Sequence, residues 1–397
     1  MSFESDTWWQ IYPLGACGAP IRQRTGDDGG HRLRRLLNWV DYAADLGATG
    51  LLLAPIFESV AHGYDTLDHY RIDSRLGDDT DFADLVAALQ AREMGLMLDG
   101  VFNHVAREHP FVTQGGPIKR NPDGTHRGWE GDDSLAEIDH SDPAAVDWVV
   151  DIMNYWLDKG ITGWRLDVAY AVPTEFWAKV TDRVRQTHPD AIFLGEMIHG
   201  DYPQFGLDSH LTTVTQYELW KAIWSSLNDK NFFELSHALG RHQEFSDRQI
   251  MQIFVGNHDV ARIATTVGPV KAALAAVVLF TLPGIPSVYY GDEQGFQGSK
   301  GEGFSADDEL RAPLPDSPDE LSPLGGWMYE HYQRLIALRK SHPQWATSRI
   351  EVLETANEKI RYRIGNSTEV EVSLGELGQA RITDGGEEIY LASWGLS

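Results

Sequence analysis

A closed (β/α)8 barrel with a short insert after its third strand and a small antiparallel β domain at its C-terminus is predicted by three features of this sequence. Short apolar runs alternate with longer runs of helical period eight times over about 340 residues, which argues for a parallel sheet closed on itself. No GxGxxG loop follows the first run, which lowers the alternative of an open dinucleotide-binding sheet. Beyond His342 the pattern becomes polar/apolar alternation with turn signals at GN and DGG, the mark of a compact antiparallel sheet.

Taken in order, TWWQIYP (7–13) supplies the first strand and LRRLLNWVDYAADLG (33–47) the first helix. TGLLLAPIF (49–57) precedes the helical DFADLVAALQAREMG (81–95). LMLDGVFNH (96–104) is the third strand, followed by a polar stretch and by AAVDWVVDIMNYWLDKG (144–160). GWRLDVAY (163–170) precedes TEFWAKVTDRVRQ (174–186), and AIFLGEM (191–197) precedes LTTVTQYELWKAIWSSL (211–227), which starts extended and turns helical. IMQIFVGNH (250–258), an apolar helix from residue 272 and PSVYYG (286–291) complete the count. Residues 272–291 are apolar for long enough to raise a membrane span, but Pro283, Gly284 and Pro286 interrupt them, so a buried helix, turn and strand explain them better.

These elements divide the chain into a TIM barrel of residues 1–104 and 144–345, an insert subdomain of 105–143 rich in Pro, Gly and Asp, and a β domain of 346–397. The net charge of −26 makes nucleic acid and anionic membranes poor partners. Cys17 is the single cysteine, so no intrachain disulfide forms, and MSFESDTWWQIYPLG has no basic segment ahead of an apolar core. A cytoplasmic protein is the expectation.

The stretch GWRLDVAY places Trp164, Leu166 and Val168 on one face of an extended strand and Arg165, Asp167 and Ala169 on the other. Alone, it also fits an edge strand with a surface ion pair. Other strand ends decide the matter: the third carries Asp99, Asn103 and His104, the fifth Glu196, and the seventh His258, Asp259 and Arg262. Acids from four strands gathered at one rim of a barrel mark an active site.

In this strand context DGVFNH, GWRLDVA, GEMIHG and VGNHD resemble, in order, the four signature regions of the α-amylase family of glycoside hydrolases. HGYDT (62–66), IDSRLG (72–77) and YYGDE (289–293) are also similar, and the resemblance runs from about Trp8 to Leu338. It implies that Asp167 is the nucleophile, Glu196 the general acid/base and Asp259 a carboxylate that orients the sugar. Arg165 would keep Asp167 ionised, and nearby acids would help Glu196 hold its proton. By the same resemblance His104 and His258 hydrogen-bond sugar hydroxyls, Tyr64 stacks on the ring, Asp65 braces its loop, Asp99 supports the site, and His62, Arg165 and Arg262 complete the substrate-binding set. No cofactor is required for the chemistry. The family pattern admits a structural calcium with Asn103 as a ligand, and it admits a homo-oligomer.

His62 stands two residues before Tyr64, as in members acting on malto-oligosaccharides and cyclodextrins. Ala61 lies where α-glucosidases of the family often place an Asp, although Asp308 and Arg311 offer another clamp on a terminal sugar, and His199 resembles the cyclomaltodextrinase and neopullulanase branch. The expected function is a retaining α-glycosidase acting on small α-glucosides. Transfer to a sugar acceptor is the first alternative, and a catalytically silent α-glucan-binding protein is the second.

Overall fold

The computed structural model describes residue 3 and residues 6–22, 30–303 and 306–396. Eight parallel strands form the central sheet: β1 (Trp8–Ile11), β2 (Gly50–Leu53), β3 (Gly95–Gly100), β4 (Gly163–Leu166), β5 (Ile192–Gly195), β6 (Thr213–Val214), β7 (Gln252–Phe254) and β8 (Ile285–Tyr289). Each pairs with its neighbours in sequence, β8 pairs with β1, and the bridge between Thr215 and Gln252 joins β6 to β7 and closes the ring. The residues on which the N-terminal leader reading falls include 1, 2, 4 and 5, which lie outside the described residues.

The period of two in a strand explains how charge comes to lie inside this barrel. Outward positions such as Trp9, Ile11, Leu51, Leu53, Leu96, Leu98, Trp164, Leu166, Phe193 and Val288 pack into the layer between sheet and helices. Inward positions are apolar at the start of the strands, where Trp8, Leu52, Met97, Leu194 and Ile285 form a separate plug. One step further along, the inward positions turn polar, with Gln10, Arg165, Gln252 and Ser287 lining the barrel interior beneath the mouth. Gly50 lets Trp8 fill the plug, since a Cβ there would stand 2.5 Å from the indole and 2.9 Å from the Gly95 carbonyl.

Helices flank the strands as the periodicity indicates: Val40–Leu46, Asp79–Ala91, Pro143–Asp158, Thr174–Thr187, Tyr217–Asp229 and Pro269–Thr281. The first of these is preceded by a 3-10 turn over Arg32–Trp39. The second apolar run is shorter as a strand than its sequence indicates. It ends at Leu53, Pro55 follows, and Phe57–Ser59 joins Thr66–Ile72 in a separate antiparallel ribbon that carries the Tyr64 loop. Within the insert, His104–Ala106, Gly128–Trp129 and Asp132–Glu137 form a three-stranded antiparallel sheet. Residues 272–291 form the end of a buried helix, a turn and β8, and no helix among the described residues is long and apolar enough to cross a membrane.

After the last barrel helix, Gly326–Ser341, five antiparallel strands follow as a meander: β9 (Ile350–Ala356), β10 (Lys359–Ile364), β11 (Thr368–Leu374), β12 (Leu377–Asp384) and β13 (Glu387–Gly395). Alternate residues Ile360, Tyr362, Ile364, Val370, Val372, Ala380 and Ile382 are buried on one face. That face meets the barrel helices, where the Tyr362 hydroxyl lies 2.7 Å from that of Thr281 and the Tyr390 hydroxyl lies 2.6 Å from His331 Nδ1.

Candidate active site

The site is built around Arg165. Its position on β4 points it into the barrel mouth, where Nη1 donates to Asp99 Oδ2 at 2.6 Å and to Asp167 Oδ1 at 3.0 Å, while Nη2 lies 2.9 Å from Glu196 Oε1. All four side chains are buried. One guanidinium fork therefore holds carboxylates from three strand ends side by side.

The strand itself stops at Leu166, one residue before Asp167, which corrects the reading of 163–170 as a continuous strand. Val168 adopts a left-handed conformation with φ 48°, a strained position for a β-branched residue. The bend directs its N–H to Glu196 Oε2 at 2.9 Å, while the Asp167 N–H bonds the Gly100 carbonyl. Asp167 Oδ2 has no protein donor among the described residues, and Asp167 lines the cleft.

Electrostatics depart from expectation in one respect. Burial pushes Asp167 well above the usual carboxylate range, with Glu196, Asp99 and Asp259 adding to the effect and Arg165 opposing it. Burial likewise raises Asp99 to about 6 against the pull of Arg165. Asp99 and Asp167 are thus both pushed toward the neutral acid, and the contact with Arg165 opposes that push without cancelling it.

Asp259 has a different environment. Burial works against its charge, but the cations Arg311, Arg165 and Lys300 counter it and hold the group below the usual range. His258 Nε2 lies 3.1 Å from Asp259 Oδ2, and Arg311 donates to Asp259 Oδ1 at 3.2 Å and to Asp307 Oδ2 at 3.1 Å.

The other expected residues fall into two groups. His62, Tyr64, Asp65 and Asp259 line a cavity of about 430 Å³ together with Arg22, Arg107 and Arg311. Asp65 braces that loop by accepting from the N–H groups of Ala61, His62 and Gly63 at 2.8, 3.1 and 3.2 Å. Asp99 accepts from the Tyr64 hydroxyl at 3.1 Å. The rings of His104 and His258 have protein partners on both nitrogens. His104 Nε2 bonds the Tyr64 carbonyl at 3.0 Å and Nδ1 faces Asn103 Nδ2 at 3.1 Å. His258 Nδ1 faces Gln10 Nε2 at 3.2 Å, and its Nε2 contacts Tyr64 Oη as well as Asp259. Burial lowers His104 to about 4 and His258 to about 3, so both rings are neutral near pH 7. Both rings contact Tyr64, and His258 also contacts Asp259.

Arg262 requires a correction. It is 1% exposed and bonds the Tyr290 carbonyl at 2.6 Å, Asp292 Oδ1 at 3.0 Å and the Leu310 carbonyl at 2.8 Å, with its guanidinium over the Tyr289 ring. Those bonds tie the loop after β7 to the segment after β8, away from the cleft. Arg165 likewise touches the acids rather than the open cleft, so its part in binding is indirect.

The fit of Asn103 to calcium is poor. Its buried Oδ1 lacks a hydrogen-bond partner among the described residues and could serve as one hard ligand, where calcium takes six to eight. The His, Cys, Asp and Glu group that closes to metal-ligand distances among the described residues is His31, Asp78 and Asp81, which lies elsewhere. There, Asp78 caps the helix Asp79–Ala91, and Asp81 accepts from the Asp78 N–H and pairs with His31 and Arg34.

Sequence reasoning missed Tyr217, Asn257, Trp129 and Tyr170. Tyr217 is the first residue of the helix after β6, and its hydroxyl donates to Glu196 Oε1 at 3.2 Å while accepting from Asn257 Nδ2 at 2.8 Å. Trp129 and Tyr170 line a second cavity of about 590 Å³ together with Asp167, Glu196, Ile198 and Val260. Tyr64, Asp132 and Asp259 border both cavities, so the two meet there.

Comparison with known proteins bears on this geometry. A family model described as the catalytic domain of alpha amylase matches residues 22–129 and 129–318. A cyclomaltodextrinase of Geobacillus thermopakistaniensis (strain MAS1) is 30% identical over 374 residues, covering 84% of this chain and 62% of its own length. The chain thus spans less than two thirds of that relative. An intracellular maltogenic amylase of Bacillus subtilis (strain 168) is 28% identical over 431 residues, covering 94% of this chain and 71% of its own. Among solved structures, the cyclic alpha-maltosyl-(1→6)-maltose hydrolase of Arthrobacter globiformis in complex with maltose superposes with a TM-score of 0.81 at 23% identity over 99% of both chains, a likeness of fold.

Proposed function

The chain belongs to the alpha-amylase family, and from that premise we propose that it is a retaining α-glycosidase cleaving α-1,4-glucosidic bonds of malto-oligosaccharides, cyclodextrins or related small α-glucosides. The observation that carries this reading is the single guanidinium holding Asp167 and Glu196 at 3.0 and 2.9 Å on adjacent nitrogens. Retaining enzymes need two carboxyl groups about 5–5.5 Å apart, close enough for one to attack the sugar while the other serves the leaving group.

In the proposed reaction Asp167 Oδ2 attacks the anomeric carbon as Glu196 gives a proton to the glycosidic oxygen, and the leaving sugar departs as an alcohol. The glucosyl–Asp167 ester is then opened by water, whose proton passes to Glu196, so two inversions return the α configuration. For this step Asp167 must be the carboxylate and Glu196 must carry the proton that the glycosidic oxygen takes. Asp259, kept ionised among its cations, favours the positive charge that develops on the ring. Family enzymes need no cofactor for this chemistry, and no step here uses calcium.

An acid must sit on the leaving-group side of the bond it breaks. Glu196 borders the larger cavity but not the smaller, so the cavity of Trp129, Tyr170, Ile198 and Val260 takes the leaving sugar. The retained sugar lies toward His62, Tyr64 and Arg311. The apolar and aromatic lining of the larger cavity favours a second reading, transfer to a sugar acceptor through the same covalent intermediate. A silent binding role is disfavoured by the gathering of all three acids at one mouth. The single cysteine and the likeness to an intracellular maltogenic amylase support a cytoplasmic location.

The test is release of reducing sugar from maltotriose and a cyclodextrin by the wild-type protein and by Asp167→Asn. Turnover by the first alone is expected, and equal turnover by both would remove Asp167 from the chemistry.

A further inference from the structure

We propose that Tyr217 is a positioning residue for Glu196, with its hydroxyl proton aimed by Asn257. The inference rests on the reading of Glu196 as the acid/base residue and adds to it a device that holds the acid at the bond to be broken.

The direction of that proton follows from a chain of donors and acceptors. The Asp259 backbone N–H donates to Asn257 Oδ1 at 2.9 Å, which fixes the amide so that its NH₂ group points the other way. Asn257 Nδ2 then donates to the Tyr217 hydroxyl at 2.8 Å. A phenol has one proton, and since its oxygen accepts from Asn257, that proton is left for Glu196 Oε1 at 3.2 Å. The ring cannot easily swing away, because Phe254 packs against it nearly edge-on at 4.9 Å and Trp220 at 5.8 Å.

The relay joins three successive strand ends, running from Asp259 after β7 through Tyr217 after β6 to Glu196 after β5. It complements the other anchors of the acid. Arg165 divides its guanidinium among Asp99, Asp167 and Glu196, and its pull changes as Asp167 exchanges negative charge for an ester bond. The Val168 N–H holds Oε2 alone. Tyr217 is the neutral side-chain donor to Oε1, so it fixes the orientation of the carboxyl group whichever charge the neighbouring Asp167 carries.

The experiment compares two α-maltosyl substrates through kcat/KM, which reports the step that forms the covalent intermediate. Phenol is a poor leaving group that needs a proton from Glu196, whereas fluoride departs without one. Tyr217→Phe is expected to lower kcat/KM for phenyl α-maltoside ~3- to 10-fold, the worth of one hydrogen bond, and to leave α-maltosyl fluoride within ~2-fold. Asn257→Asp keeps the acceptor for the Asp259 N–H but turns the Tyr217 proton away from Glu196, so it should show the same selective loss with the ring intact. Equal losses on both substrates, or no loss on the phenyl glycoside, would overturn the proposal. Wild-type inactivity on both substrates would instead defeat the glycosidase reading on which it rests.

Discussion

Removing the cation from the centre of the site offers a prediction whose size can be worked from the structure. In Arg165→Leu, Asp99, Asp167 and Glu196 lose their contacts at 2.6, 3.0 and 2.9 Å, and their side chains are only 0, 8 and 6% exposed. Breaking one buried pair by deleting a partner costs about 3–5 kcal/mol, because a charge is left in a poorly solvated place. The cost depends on pH with a definite sign. A carboxyl whose folded pKa lies above its unfolded value, about 3.9 for Asp, disfavours folding only where the unfolded chain is ionised, and that penalty grows until pH passes the folded pKa. Burial holds Asp99 at about 6 and Asp167 well above the usual carboxylate range even with Arg165 present, and both move up without it. The loss should therefore approach ~3–5 kcal/mol at pH 8 and shrink toward pH 5, where the cluster takes up protons. Urea unfolding of wild type, Arg165→Leu and Arg165→Lys at both values measures this, with the lysine variant expected to recover part of the difference. A loss below ~1 kcal/mol at pH 8, or the same loss at both pH values, would refute the view that one guanidinium neutralises this buried cluster.

Three further outcomes follow from other parts of the molecule. Glu196→Gln should lower turnover of maltotriose by ~10²–10⁴-fold while slowing formation of the intermediate from α-maltosyl fluoride far less, as pre-steady-state rates would show. Arg262→Leu should destabilise the protein by ~3–5 kcal/mol, because Asp292 is left buried beside it, yet leave KM for maltotriose unchanged, and a raised KM would return Arg262 to the binding set. Gly50→Ala should cost ~1–3 kcal/mol in denaturant titration, since its Cβ collides with the Trp8 plug, and a neutral effect would mean that the plug can shift.

The barrel was legible because its strands and helices carry different hydrophobic periods, and the rim was legible because Asp99, Arg165 and Asp167, Glu196 and Asp259 fall at the ends of separate apolar runs. Direction was harder to read. Arg262 follows β7 as closely as Asp259 does, yet its long side chain turns under Tyr289 and Tyr290, a choice made by partners distant in sequence. His104 and His258 lie where expected, but sequence says nothing of which atoms satisfy their ring nitrogens. Tyr217 escaped notice because it opens a helix and looks like an ordinary apolar residue; its partners, Glu196 and Asn257, are 21 and 40 positions away. The run 49–57 reads as one whole strand, and the break that Pro55 makes after Leu53 escapes that reading.

The central claim, that Asp167 and Glu196 act in two successive displacements at one carbon, is tested most directly by the configuration of the first sugar released. Proton NMR of a maltotriose digest, recorded before mutarotation, should show the α-anomer of the new reducing end appearing first. Initial appearance of the β-anomer would mean a single displacement by water and would contradict the account.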